Sequence, residues 1–343
     1  MRQRNARDNK IDVVIPWVDG SDPDWLAEKA RVSPALLTDD RAIRYRDWGI
    51  LQYLFRGLEQ FAPWVNTVHF VTWGHLPEWL NRDCPRLHIV NHRDYIPAEY
   101  LPTFNSHTIE LNLHRIEGLS EQFIYFNDDM FLTRGIKAER FFRNGLPCDY
   151  ALMNPAYTLD LADGSGDERI FYIPYNNVNQ LNAHVSMRAC LKAHPLKWFH
   201  PSYGRDLFRN VLLAPWGRFV GFVDHHLPQP YRKESFRAAW ADAFDVLDAT
   251  CRNNIRTDHD VNIWYIRYRE LALGRFHPIH RPKGAVLSLQ LDNAQALDII
   301  TRQRAPMICL NDSPSLGLDI SKQQAALQQA FERILPEKCG FER

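Results

Sequence analysis

The stretch IDVVIPWVDGSD, residues 11–22, decides the fold. Its first six residues make an apolar, β-branched run of strand length, and the Asp-, Gly- and Pro-rich continuation through WVDGSDPDW reads as a loop. That unit recurs along the chain. Over 43–61, Ile43, Trp48, Leu51, Leu54, Phe55, Leu58 and Phe61 keep the helical period until Pro63 ends it. TVHFVTW from Thr67 predicts a second strand, PEWL a short helical turn, RLHIVN a third strand, 107–119 a helix and QFIYFN a fourth strand. This βαβαβαβ alternation in the first 130 residues predicts an α/β fold, a mostly parallel sheet flanked by helices. Ligands of such sheets bind beyond the carboxyl ends of the strands, so the loops WVDGSD, TWGH, NHRD and NDDM matter most.

Farther along, the Asn-, Tyr- and Pro-rich segment 151–215 reads as an inserted lobe or lid. A helical C-terminal half, 216–343, follows, with helical patterns near 233–250 and 260–274, a strand-like AVLSLQL and a terminal helix SKQQAALQQAFERIL.

The 343 residues carry 41 Lys+Arg against 41 Asp+Glu and are 45% hydrophobic. That balance speaks against disorder and against a nucleic-acid partner, which calls for a basic excess. Six cysteines without a close pair fit neither a zinc ribbon nor a disulfide scaffold and point to a reducing compartment. MRQRNARDNK lacks the apolar core of a signal peptide, and no segment approaches the roughly 20 apolar residues that span a bilayer. A cytoplasmic protein, at most peripheral to the inner face of the membrane, is expected.

Four stretches offer chemistry. Asn127-Asp128-Asp129 follows an apolar strand and would deliver adjacent carboxylates to a hard cation, although a turn or cap explains it as well. Asp19-Gly20-Ser21-Asp22 permits a tight turn against a ligand, but it is not the glycine fingerprint of a dinucleotide fold. His225-His226 lies near Arg218, Arg232 and Lys233; one histidine would serve as a base and the other as structure. Arg256, ahead of a helix start near Asp258 and Asp260, would clamp a phosphate, or the stretch is an ordinary capped helix. Acids for a cation, arginines for phosphate and a histidine base together suit phosphoryl or nucleotide-sugar chemistry.

Over nearly its whole length the chain resembles the Stealth proteins, which include bacterial capsular-polysaccharide phosphotransferases and the catalytic subunit of the animal GlcNAc-1-phosphotransferase. The resemblance is carried by IDVVIPWVDGSDPDW, by RYRDWGILQYLFRGLEQFAPWV through IYFNDDMFL, by DHHLPQPYRKESF to IRTDHDVN, and by CLNDS with LPEKCGFE. It implies a single catalytic domain, 1–343, with a Rossmann-like (GT-A-like) nucleotide-sugar-binding core over 11–150. The implied reaction transfers hexose-1-phosphate, N-acetylhexosamine-1-phosphate in particular, from a UDP-sugar to a saccharide hydroxyl in capsule or exopolysaccharide synthesis, releasing UMP. A metal-dependent glycosyltransferase that passes on only the sugar is the alternative.

Carried over residue by residue, the resemblance implies catalytic roles for Asp129, His226 and Arg256. It implies donor contacts from Trp17, Asp19, Gly20, Asp22, Arg44, Asp47, Asn105, Ser106, Glu110, Asn127 and Arg218. Mg²⁺ or Mn²⁺ would be held by Asp128, Asp129, Asp260 and Asn311. The implied partners are the UDP-sugar, the saccharide acceptor and a membrane capsule-assembly complex. One departure stands in the second loop, where Thr72-Trp73-Gly74-His75 replaces the family's acid or amide, then Gly-Gln.

Overall fold

The computed structural model describes residues 10–32, 46–156, 169–312 and 320–343. Eleven strands lie among them: β1 (Ile11–Pro16), β2 (Val68–Thr72), β3 (Leu87–Asn91), β4 (Gln122–Tyr125), β5 (Met130–Leu132), β6 (Phe142–Arg143), β7 (Leu146–Asp149), β8 (Gln229–Arg232), β9 (His277–Pro278), β10 (Ala285–Ser288) and β11 (Met307–Asn311). The main sheet has the order β3–β2–β1–β4–β8. Val13 of β1 pairs in parallel with Val68 of β2 and with Ile124 of β4, which makes IDVVIP the central strand. Strand alternation sends Val13 and Ile15 into one apolar cluster and Val14 into the other. Burial on both faces explains why this strand is apolar throughout. The α/β class and the mostly parallel sheet expected from the sequence are those of the molecule.

The edge strand β8 is antiparallel to β4 and contains Pro230, which an edge tolerates. Four residues around a proline carry no strand signature, and sequence reading missed β8. It also missed β5 and β11, which pair antiparallel with Cys309 opposite Met130 and bring the chain's end beside the β4 exit.

Several helices are shorter than their periodicity predicts. Over 43–61 the helix is Leu51–Phe61, because Gly49 turns the chain with a φ of 61° and Asp47 Oδ1 takes the Gly49 N–H. Residues 43–45 lie outside the described residues. The helix over 107–119 is Ser106–Leu111; the Asn112 amide folds back onto the Thr108 carbonyl and the chain tightens into a 3₁₀ turn, Leu113–Arg115. PEWL forms a turn. The pattern at 233–250 divides at Ala243 into Lys233–Asp242 and Phe244–Cys251.

Beyond β7 the chain leaves the sheet, and it returns where Met153 pairs with Phe222 and Val223 N–H bonds Leu152 O. A Cβ at Gly221, whose φ is 140°, would stand 2.3 Å from Asn154 O, so this close crossing requires glycine. Between the two passes lie the helices Arg169–His184, Met187–Ala193, Pro195–Trp198 and Leu207–Leu213. The first packs on the helix Ile263–Ala272, joined by a hydrogen bond from Asn177 Nδ2 to Asn262 Oδ1. All six cysteines are buried and free.

Candidate active site

The chain turns sharply at the end of β4: Met130 N–H bonds Asn127 O, while Asp129 O accepts the Leu310 N–H from β11 at 2.9 Å. This pins the Asp128-Asp129 pair between two sheets. His226 Nε2 lies 3.5 Å from Asp129 Oδ2 and 3.1 Å from Asn127 Nδ2. Burial alone would lower the His226 pKa, but the Asp129 hydrogen bond and the charges of Asp129, Glu110 and Asp128 raise it instead. Asp129 Oδ1 is buried and, among the described residues, has no hydrogen-bond partner. Asp128 keeps an exposed edge, yet crowding by protein and then the Asp129 charge push its carboxyl up to about 7. Two carboxylates sharing a corner with an unfilled oxygen repel each other until a cation or donor group arrives.

Asp129, His226 and Cys309 each offer a ligand atom, all within 4.8 Å of one another. Cys309 donates to Asn311 Oδ1 at 3.2 Å, and burial together with the Asp129 charge holds it as a thiol. Asp47 acts on Asp128 electrostatically from its loop, and that loop is tied to the β11 exit by a Trp48–Asp312 bond of 3.1 Å. Asp128, Asp129, Asn127, His226, Asp47 and Asn311 therefore surround one corner.

Glu110 stands behind this corner on the helix Ser106–Leu111. It takes a hydrogen bond from Tyr125 Oη at 3.3 Å, and its other oxygen is buried without a partner among the described residues. At the start of the same helix Ser106 Oγ accepts from Arg256 Nε at 3.1 Å and again from Nη2, across 150 residues of sequence. Asn105 and Asp260 depart from expectation. Asp260 is fully buried and its oxygens receive Asn105 Nδ2, Asn253 Nδ2, Thr257 N and Oγ1, and His107 Nδ1 at 2.7–3.2 Å. No lone pair remains to face a metal, and Asp260 instead fastens the loop bearing Arg256. Asn105, also fully buried, caps its helix through His107 N–H and spends its amide on Asp260, so it has nothing to offer a donor.

The loop after β1 is bound to the loop after β2. Asp19 N–H donates to His75 Nε2 at 2.7 Å, and His75 Nδ1 faces Asp22 Oδ2 at 3.5 Å. Burial lowers the His75 pKa despite the two acids, which suits the neutral ring this bond requires. Asp19 Oδ1 takes Ser21 N and Oγ, and Asp22 Oδ1 takes Trp25 N–H to start the helix Pro23–Val32. Trp17 packs edge-on to His75 at 5.3 Å, and Gly20 lies between these anchors. His75, read from the sequence only as a departure, thus braces the first loop. Arg44 lies outside the described residues. Arg218 stands exposed on the inserted lobe, and no hydrogen bond or ion pair described for the corner residues reaches it. His225 bonds Tyr150 Oη at 2.7 Å and is neutral by burial; it is the structural member of its pair.

Cys309 was missed from sequence, although strand alternation puts it on the same face as Asn311 two residues later. Tyr125 was missed because it looks like any core aromatic.

Known proteins resemble this chain in sequence over nearly its full length. The family models of Stealth protein conserved region 1 and conserved region 2 match residues 9–37 and 44–148. The capsular polysaccharide phosphotransferase WcwK of Streptococcus pneumoniae is 36% identical over 98% of this chain and 99% of its own. The exopolysaccharide phosphotransferase cps2G of Lactiplantibacillus plantarum is 36% identical over 97% and 96%. A solved galactosyltransferase LgtC, in complex with donor and acceptor sugar analogues, aligns with 94% of this chain and 95% of its own at 8% identity and a TM-score of 0.39. With both conserved regions matched and relatives aligned end to end at over a third identity, the chain belongs to the Stealth family.

Proposed function

We propose that this chain is a phosphotransferase of capsule or exopolysaccharide synthesis that moves a sugar-1-phosphate from a UDP-sugar to a saccharide hydroxyl. The reading rests above all on the unsatisfied Asp128–Asp129 corner beside His226, in a chain whose relatives are named polysaccharide phosphotransferases. The acceptor oxygen attacks the sugar-bearing phosphorus, the new P–O bond forms and the bond to the UMP oxygen breaks. The acceptor proton passes to His226 Nε2, whose neighbour Asp129 stabilises the imidazolium. Arg256, held in orientation by Ser106, neutralises charge on the departing UMP. Trp17, Asp19, Gly20 and Asp22 line the donor side, positioned by His75, and Glu110 faces the transferred sugar.

The corner suits a divalent cation: among the described residues Asp129 Oδ1 lacks a donor, and a second carboxylate adjoins it. Asp129 and Asp128 would hold Mg²⁺ or Mn²⁺, with Asn311 at the rim, and the ion would screen the diphosphate charge. Cys309, kept as a thiol, is a poor ligand for such hard ions.

The test is the product. Purified protein given a panel of UDP-sugars and short acceptors should release UMP and leave a phosphodiester visible by phosphorus NMR. Release of UDP with no phosphorus in the product would replace this reading with simple glycosyl transfer. EDTA should stop turnover and Mg²⁺ or Mn²⁺ restore it; unaltered turnover in EDTA would remove the cation.

A further inference from the structure

Residues 185–220 carry six Lys or Arg and one acid, Asp206, in a chain whose 41 basic and 41 acidic residues balance overall. The helix Leu207–Leu213 lies in this segment, and its polarity is inverted. Asn210 is its fully buried residue: its amide donates to Ala151 O and Trp198 O, and its oxygen accepts Met153 N–H. The outward side carries Phe208, Val211 and Leu212, and the 3₁₀ turn Ala214–Trp216 extends it with Pro215 and Trp216. Spacings of 3, 4, 7 and 8 from Phe208 place these side chains on one stripe. Phe208 is 65%, Leu212 62% and Trp216 72% exposed. On the short helix Pro195–Trp198, which Asn210 ties to this one, Leu196 is 78% exposed. Arg205, just ahead of the helix, and Arg209, within it and beside Asp206 at 3.8 Å, stand exposed, as does Lys192 on the helix Met187–Ala193.

An outward apolar stripe in a cationic segment has the composition of a helix that lies in a membrane interface, apolar side down among the acyl chains and basic side chains at the headgroups. We propose that Leu207–Trp216 seats this protein on an anionic lipid surface. Seven helical residues are far too few to span a bilayer, so the seat lies in the plane of the interface. Charge selects lipid over a second copy of the chain, because self-association through this face would bring two cationic segments together. The Asn210 bonds keep the stripe from rolling inward, so it is presented without rearrangement.

The test needs no substrate. The full chain is sedimented with vesicles of phosphatidylglycerol mixed into phosphatidylcholine, and with phosphatidylcholine alone. Binding to the mixed vesicles is expected, with a drop of at least about tenfold for Phe208→Ser/Trp216→Ser and severalfold for Arg205→Gln/Arg209→Gln or in high salt. All four side chains are exposed, so melting temperatures should match the parent and certify the fold. The proposal is overturned if the parent stays in the supernatant, or if the Phe208/Trp216 variant binds as well as the parent. A parent dimer that dissociates in that variant, with no vesicle binding, would likewise overturn it and assign the stripe to self-association.

Discussion

Asp129 and Asp260 are both loop carboxylates that the sequence offers to a metal, and their surroundings could hardly differ more. Five donors converge on Asp260. Asp129 has His226 at 3.5 Å and the Cys309 thiol close by, but among the described residues its Oδ1 keeps no hydrogen-bond partner, and Asp128 stands beside it. Burial would raise Asp260, but His107 and the Thr257 donors overcome it and hold the carboxyl below its usual value. A saturated carboxylate stabilises the native state, whereas an unsaturated one next to another acid strains it and keeps a place for something charged. The first kind builds the frame and the second is free to do chemistry. Arg267, fully enclosed between Asp149 and Asp224 at 2.8 Å from each, belongs with Asp260.

The comparison would break first at Arg267. Arg267→Met leaves the buried Asp149, and Asp224 at the solvent edge, without their cation and should cost about 3–5 kcal/mol in urea unfolding. A loss below about 1 kcal/mol would show that saturation does not mark the frame. Asp129→Asn should do the reverse. Transfer should fall at least about a hundredfold, as on losing an electrostatic or acid–base group, while the melting temperature holds or rises because a repulsion has gone. His226→Ala should match it in rate with the fold intact; near-parent turnover in either variant would remove the corner from the chemistry.

What the sequence disclosed follows the same division. The strands β1, β2 and β4 were legible because burial on both sides of a parallel sheet demands apolar runs, β3 because its half-buried edge keeps an apolar core in LHIVN, and the acids at the β4 exit were legible because nothing apolar intervenes. Asp260 and Asn105 misled because Asp and Asn in a loop look alike whether they face solvent, a metal or five buried donors. Only tertiary contact, from Asn105 and His107 over 150 positions away, decides. The Arg256–Ser106 bond is illegible for the same reason. Cys309 looked like one more apolar residue in MICLN until β11 paired with β5.

Asp260→Asn is the next largest expected effect, about 2 kcal/mol of stability, since an amide cannot receive all five donors. Because the folded carboxyl titrates below its usual value, this contribution is present above about pH 4 and is lost as pH falls through the folded pKa. The parent should therefore lose stability relative to the variant on acidification, and a difference that stays constant down to pH 3 would contradict the assignment.

Ser106→Ala should be the mildest change and the most discriminating. The hydroxyl only orients Arg256, whose guanidinium keeps its charge, so transfer should slow by several-fold, on the order of 1 kcal/mol. Arg256→Ala should cost far more. If Arg256 meets the departing UMP, both changes should appear mainly in kcat, because that charge develops as the bond breaks. Were the loss from Ser106→Ala confined to KM for the UDP-sugar, Arg256 would be a binding residue. The saturated loop fastened by Asp260 would then carry a donor clamp, and the catalytic charge would lie wholly at the Asp128–Asp129 corner.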